Sequence, residues 1–197
     1  MSIATYTPAE LLGSLTEFEE KHAPKTLYLE GDRSLINGGT RVSVVGTRKI
    51  TPEGTKRTEL ITKALVKRGI IVVSGLAAGV DTIAHTTAIN AEGKTIAVLG
   101  TPLDKAYPAE NKLLLEKIKK EHLAISQFPI GYPAQPKNFP MRNRTMALLS
   151  DATIIIEAGG RKIARAASGR FLLARNYKNM PAKHLARVND EGTYSHV

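Results

Sequence analysis

The sequence contains no cysteine and no tryptophan. Without cysteine, a disulfide framework, a thiolate metal site and a cysteine nucleophile are excluded, and a reducing compartment is compatible. Aromatic residues make up 5% of the chain against 42% hydrophobic residues. The core must therefore be aliphatic, built from the Val, Ile, Leu and Ala that suit buried parallel strands. No apolar run approaches the ~20 residues of a membrane span, so no membrane partner is expected. Met1-Ser2-Ile3-Ala4-Thr5-Tyr6 lacks a basic stretch and an apolar stretch. No signal peptide is expected, and a cytoplasmic location follows.

Acidic residues are also scarce, but only locally. The net charge is +10 over 197 residues, a length for one large domain or a domain with short extensions. Residues 1–136 hold 17 Lys/Arg and 14 Asp/Glu. Residues 137–188 hold 11 Lys/Arg, with Asp151 and Glu157 as their only acids. A basic segment of this kind is the electrostatic footprint of a polyanion partner, although a merely soluble basic surface would look the same.

What is present is a repeating unit. Thr7-Pro8-Ala9-Glu10 has capping-box spacing, and Leu11, Leu12, Leu15 and Phe18 follow a helical period, so residues 1–24 are expected to form an N-terminal helical extension. From residue 41, apolar strands alternate with helical stretches. Strands are predicted at 42–45, 70–73, 95–99, 123–126 and 152–156. Helices are predicted at about 51–68, 79–90, 111–120 and 143–149. Such alternation means βαβ units, a mostly parallel sheet and right-handed crossovers. The core domain is placed at 25–180 and a polar C-terminal tail at 181–197. A basic helix is expected from Arg161 to about Tyr177, followed by a poor strand at 183–188.

Four predicted strands end in glycine turns, at Gly46, Gly75, Gly100 and Gly159-Gly160. In an open parallel sheet these turns gather at the carboxyl edge, where ligands bind. Glycine lets a backbone approach a phosphate closely, but it also simply makes tight turns. There is no G-x-G-x-x-G and no G-x-x-x-x-G-K-[ST], so a nucleotide cofactor is not expected. Arg48 stands two residues after Gly46, where its guanidinium can fork onto a phosphate or pair with a local acid. The stretch Pro136-Lys137-Asn138-Phe139-Pro140-Met141-Arg142-Asn143-Arg144 sets an aromatic among cations. That combination suits a single strand, with cations for the backbone and a ring for a base. In the plainer reading, Phe139 fills the core and the arginines make salt bridges. Asp81 and His85 share one helical face, but no nucleophile setting accompanies them, and His85 reads as a packing residue. The five histidines (His22, His85, His122, His184, His196) are not at metal-ligand spacings.

Several short motifs occur in order: Val44-Val45-Gly46-Thr47-Arg48; Val73-Ser74-Gly75-Leu76-Ala77-Ala78-Gly79-Val80-Asp81 with His85; Gly93 to Gly100; Leu103-Asp104 with Tyr107-Pro108-Ala109-Glu110-Asn111; Asn138 to Arg144; Leu149-Ser150-Asp151-Ala152; and Glu157-Ala158. In this order the chain, over roughly 25–160, resembles the DNA-processing protein A (DprA/Smf) family. The resemblance implies an extended Rossmann-like α/β fold that dimerises. It also implies binding of single-stranded DNA, loading of a RecA-type recombinase during natural transformation, and no enzymatic activity. It places the DNA-binding residues at Gly46, Thr47, Arg48, Gly75, Gly79, Lys94, Lys137, Asn138, Phe139, Arg142, Asn143 and Arg144. The chain departs from the family pattern at Arg165 to Phe171 and in its last strand. Two other readings remain. One is a nucleotide-binding enzyme or sensor similar to the lysine-decarboxylase-like phosphoribohydrolases, whose Gly-Thr and Glu are missing after Gly160. The other is a protein whose basic segment docks an acidic partner.

Overall fold

The computed structural model describes residues 2–157, together with the backbone of two short paired strands at Ala186–Val188 and Tyr194–His196. The expected basic helix from Arg161, the Gly159-Gly160 turn, the Arg165–Phe171 segment and the boundary at 180 lie outside the described residues.

Chain order runs β1 (Ala4–Tyr6), α1 (Pro8–Leu12), α2 (Glu17–His22), β2 (Leu27–Gly31), β3 (Arg41–Gly46), α3 (Pro52–Val66), β4 (Ile71–Ser74), α4 (Val80–Asn90), β5 (Thr95–Leu99), α5 (Lys112–Glu121), β6 (Leu123–Ser126), α6 (Asn138–Leu148) and β7 (Ala152–Ile156). Seven strands make one sheet in the order β1-β2-β6-β5-β4-β3-β7. Strands β3 to β7 are parallel, and β2 joins β6 antiparallel, with β1 outside it. The chain steps outward from β3 to β6, then α6 carries it back to β7 on the other side of β3. A mostly parallel Rossmann-like α/β sheet is therefore what the alternation of strands and helices produces.

The period-two alternation of strand side chains divides the core. On one face Ile71, Val73, Ile96, Val98, Leu123 and Ile125 meet Leu11 and Leu12 of α1, Met146 of α6 and Leu149. On the other, Val44, Val72 and Ile156 meet Val80, Ala84 and Ala88 of α4, while Ala97, Leu99 and Ala124 meet Leu115 and Ile118 of α5. Helices thus cover both faces.

Two local readings change. The helical period over Leu11–Phe18 is interrupted. Gly13, at φ 73, ends α1, and Thr16 starts α2 with a second capping box. The N-terminal segment also supplies β1 to the sheet edge and Leu11 and Leu12 to the shared core. The Asn-Phe-Pro stretch, which precedes the helix predicted at about 143–149, is instead the first turn of α6. Pro140 sits there without cost, because first-turn N–H groups have no intrahelical acceptor.

Candidate nucleic-acid interface

Three turns meet at the carboxyl edge: the loop after β3, the loop after β4 and the segment after β5. The loop between β4 and α4 is folded back tightly. Leu76 has φ 60 and Gly79 has φ 78. A Cβ on Gly79 would stand 2.3 Å from the Thr47 carbonyl oxygen, which accepts from the Val80 N–H at 3.2 Å. This loop therefore forms the floor under Thr47 and Arg48.

Asp81 holds the same loop from inside. Its Oδ2 accepts from the Gly75 N–H at 3.2 Å and the Ala77 N–H at 3.4 Å. The Arg142 guanidinium lies 3.9 Å from it, an ion pair rather than a hydrogen bond, and donates to the Val98 carbonyl at 3.0 Å. Arg142 Nε donates to Asn143 Oδ1 at 3.0 Å. Both charges are buried. Burial pushes the Asp81 carboxyl up, against the pull of Arg142, the two N–H groups and Arg48. Burial likewise lowers the Arg142 guanidinium, opposed by Asp81 and reinforced by Arg48. Desolvation dominates both groups, so the pair depends on its mutual contact.

The glycines leave room for protein atoms. A Cβ on Gly75 would fall 1.5 Å from Arg142 Nη1, one on Gly100 2.7 Å from the Phe139 ring, and one on Gly46 1.8 Å from the Ile156 carbonyl oxygen. Gly75 and Gly100 thus seat two side chains, one turn apart on α6. The Phe139 ring stands over Gly100 with its centroid 5.1 Å from the Tyr107 ring, tilted by 45°. The Arg48 guanidinium carbon lies 5.1 Å over the Phe139 ring. Tyr107 is brought there by Asn111, whose Nδ2 donates to Leu76 O at 2.9 Å and Thr82 Oγ1 at 2.8 Å.

The residues singled out from the sequence therefore separate into groups. Arg48 and Phe139 are in contact. Lys137, at the N-cap of α6, and Arg144, within it, are exposed. Thr47, Asn138 and Arg142 are buried, with Asn138 Nδ2 donating to Pro133 O at 3.1 Å. Asn143 is engaged with Arg142. Lys94 stands before β5, at the amino edge, away from the other eleven. Tyr107, Lys49 and Glu157 were not among the assigned residues. Tyr107 and Glu157 lay in recognised motifs without a role, and exposed Lys49 adjoins Arg48. His85 is fully buried, with Nδ1 2.7 Å from Thr95 Oγ1, and is a packing residue in the core. Among the described residues, no cluster of three or more His, Asp or Glu could hold a metal, and no helix is long and apolar enough to cross a membrane.

Fold and edge together define a Rossmann-like α/β protein with a cationic, aromatic cluster at the carboxyl ends of its strands. The profile of the family described as DNA recombination-mediator protein A matches residues 5–167, beyond the 25–160 of the motifs, and the chain belongs to that family. It is 49% identical over 117 residues to the protein Smf of Synechocystis, covering 59% of this chain and 29% of that protein. It is 40% identical over 136 residues to DNA processing protein DprA of Streptococcus pneumoniae, covering 69% of this chain and 48% of that one. The chain thus spans less than half the length of either relative. The S. pneumoniae DprA crystal structure superposes with a TM-score of 0.75 at 33% identity, over 87% of this chain and 60% of that one. DprA of Helicobacter pylori, whose structure describes a single-stranded DNA binding mode, superposes with a TM-score of 0.71 at 30% identity, over 86% of this chain and 75% of that one.

Proposed function

We propose that the carboxyl-edge groove binds single-stranded DNA and that the chain acts in DNA processing and recombination. The observation that carries this is the Arg48 guanidinium over the Phe139 ring, with Tyr107 against the same ring. A π-face and a guanidinium offer stacking and phosphate contact together, which a single strand can use and a closed duplex cannot. Exposed Lys49 and Lys137, next in sequence to Arg48 and to the start of α6, add positive charge. The H. pylori relative supports the choice of ligand. Family membership supports a RecA-type recombinase and a second copy of this chain as partners, in the cytoplasm. Arg142 and Asn138 act in this reading from beneath, and Lys94 lies outside the groove.

Fluorescence anisotropy with labelled oligo-dT, across a salt series, tests the proposal. Wild-type protein binds the single strand well above duplex. Arg48→Ala weakens binding about tenfold, the worth of one charge-assisted contact. Phe139→Ala costs about 1–3 kcal/mol, the range for one stacked base. Equal affinity for duplex, or no binding at low salt, would overturn the reading.

A further inference from the structure

The Arg48 loop is short and is held at both ends by one residue. Glu157 follows β7, where its φ of 50 turns the chain out of the strand. Its carbonyl accepts from the Thr47 N–H at 3.0 Å. Its carboxylate Oε2 accepts from the Thr51 N–H at 3.0 Å and from Thr51 Oγ1 at 3.0 Å. Between these anchors lie Arg48, Lys49 and Ile50 alone. The carboxylate also rests on Gly54 in the first turn of α3, where a Cβ would stand 1.9 Å from Oε2.

We infer that Glu157 is a positioning residue for Arg48: its carbonyl and carboxylate bracket the loop from Thr47 to Thr51 and hold the guanidinium over Phe139. This inference rests on the single-stranded DNA reading of the groove. The carboxylate needs to be an acceptor of the right length; its charge is not required, since an anion near a DNA phosphate only repels it. A carboxylate at the start of α3 also complements that helix end, so a purely structural role would show as lost stability alone. The experiment must separate the two.

Oligo-dT affinity and hydrogen exchange of the 47–51 peptide are measured on the full chain. Glu157→Ala is expected to speed exchange across that peptide and to weaken binding as far as Arg48→Ala does, about tenfold. Added to Arg48→Ala, it is expected to weaken binding no further, because its effect passes through Arg48. Glu157→Gln keeps the acceptor and is expected to bind as tightly as wild type or more tightly. Gly54→Ala is the independent arm. Alanine favours the helix, but its Cβ takes the place of Oε2, lifts the carboxylate off and also crowds Ile50 Cγ1 at 2.8 Å, so its DNA affinity is compared with that of Glu157→Ala. This variant is expected to stay folded and to behave like Glu157→Ala. Unchanged exchange in Glu157→Ala or Gly54→Ala would overturn the inference whatever the DNA affinity. So would an effect of Glu157→Ala that adds in full to Arg48→Ala, or a Glu157→Gln as weak as Glu157→Ala. Failure of wild type to bind the single strand is a different result and overturns the reading of the groove.

Discussion

At the scale of single residues, His85 shows how burial decides a role. Thr95 Oγ1 donates its one proton to Val72 O at 2.8 Å, so in the contact with His85 it is the acceptor and Nδ1–H the donor. Nε2 is then unprotonated in the neutral ring. Burial pushes the imidazole down from 6.5 to about 3, with the Ser74 backbone partly opposing. The unfolded chain therefore binds a proton that the folded chain refuses between these two values. The stability that neutral His85 contributes is complete above about pH 6.5 and is lost as pH falls toward about pH 3. Urea midpoints should decline below about pH 6.5, before most carboxylates are protonated. His85→Leu should flatten that decline, leaving the smaller part due to His122, which burial also lowers. An equally steep decline in His85→Leu would refute the assignment. Arg142 teaches the complementary lesson about legibility. A cation in a run of Asn, Arg and Phe looks like a DNA ligand. Neither the helical phase that turns Arg142 inward nor the space above Gly75 is written in that run. The Arg48–Phe139 contact joins residues 91 positions apart, and only the β3 and α6 placements together reveal it.

At the scale of elements, the strands were the most legible part. Each of β3 to β7 lies within a residue or so of an apolar run bounded by Gly, Asn or a polar turn, because the strands of a parallel sheet covered by helices are mostly apolar. What stayed hidden was local. β1 is three residues long and carries a Thr between Ala and Tyr, too short for alternation to show. The split between α1 and α2 depends on Gly13 adopting a left-handed φ, which a run of apolar residues at helical spacing conceals. The two short helices differ in what holds them. α1 buries Pro8, Leu11 and Leu12, whereas α2 buries none of its residues. A six-residue helix without tertiary burial depends on its ends. Thr16 caps α2, accepting from the Glu19 N–H at 3.2 Å, while Glu19 Oε2 accepts from the Thr16 N–H at 2.7 Å. Thr16→Ala should cost about 1 kcal/mol of local stability. Hydrogen exchange should rise over 17–22 with no change in the global urea midpoint. In α1, Thr7→Ala should instead be felt globally, since Leu11 and Leu12 belong to the shared core. Identical global effects from the two would contradict this division.

At the scale of the molecule, the proposed binding of a single strand makes charge and groove separable contributors. The groove holds the ring and Arg48, while eight of the cations lie between residues 161 and 188, where there is no acid at all. Each phosphate neutralised on a single strand contributes about 0.7 to the slope of log affinity against log salt. Stacking releases no counterion and leaves that slope alone. The two kinds of residue therefore predict different signatures. Phe139→Ala should lower affinity equally at every salt concentration. Arg48→Ala should lower it most at low salt and reduce the slope by about 0.7. Replacing Arg161, Lys162 and Arg165 together by Gln should reduce the slope by about 2 if all three meet phosphates, while leaving the preference for single strand over duplex unchanged. In the proposed reading that preference comes from the ring, and the slope comes from the cations. A triple variant that keeps the wild-type slope would confine DNA contact to the carboxyl edge. One that loses the single-strand preference would shift the discriminating element out of the groove and into the basic segment.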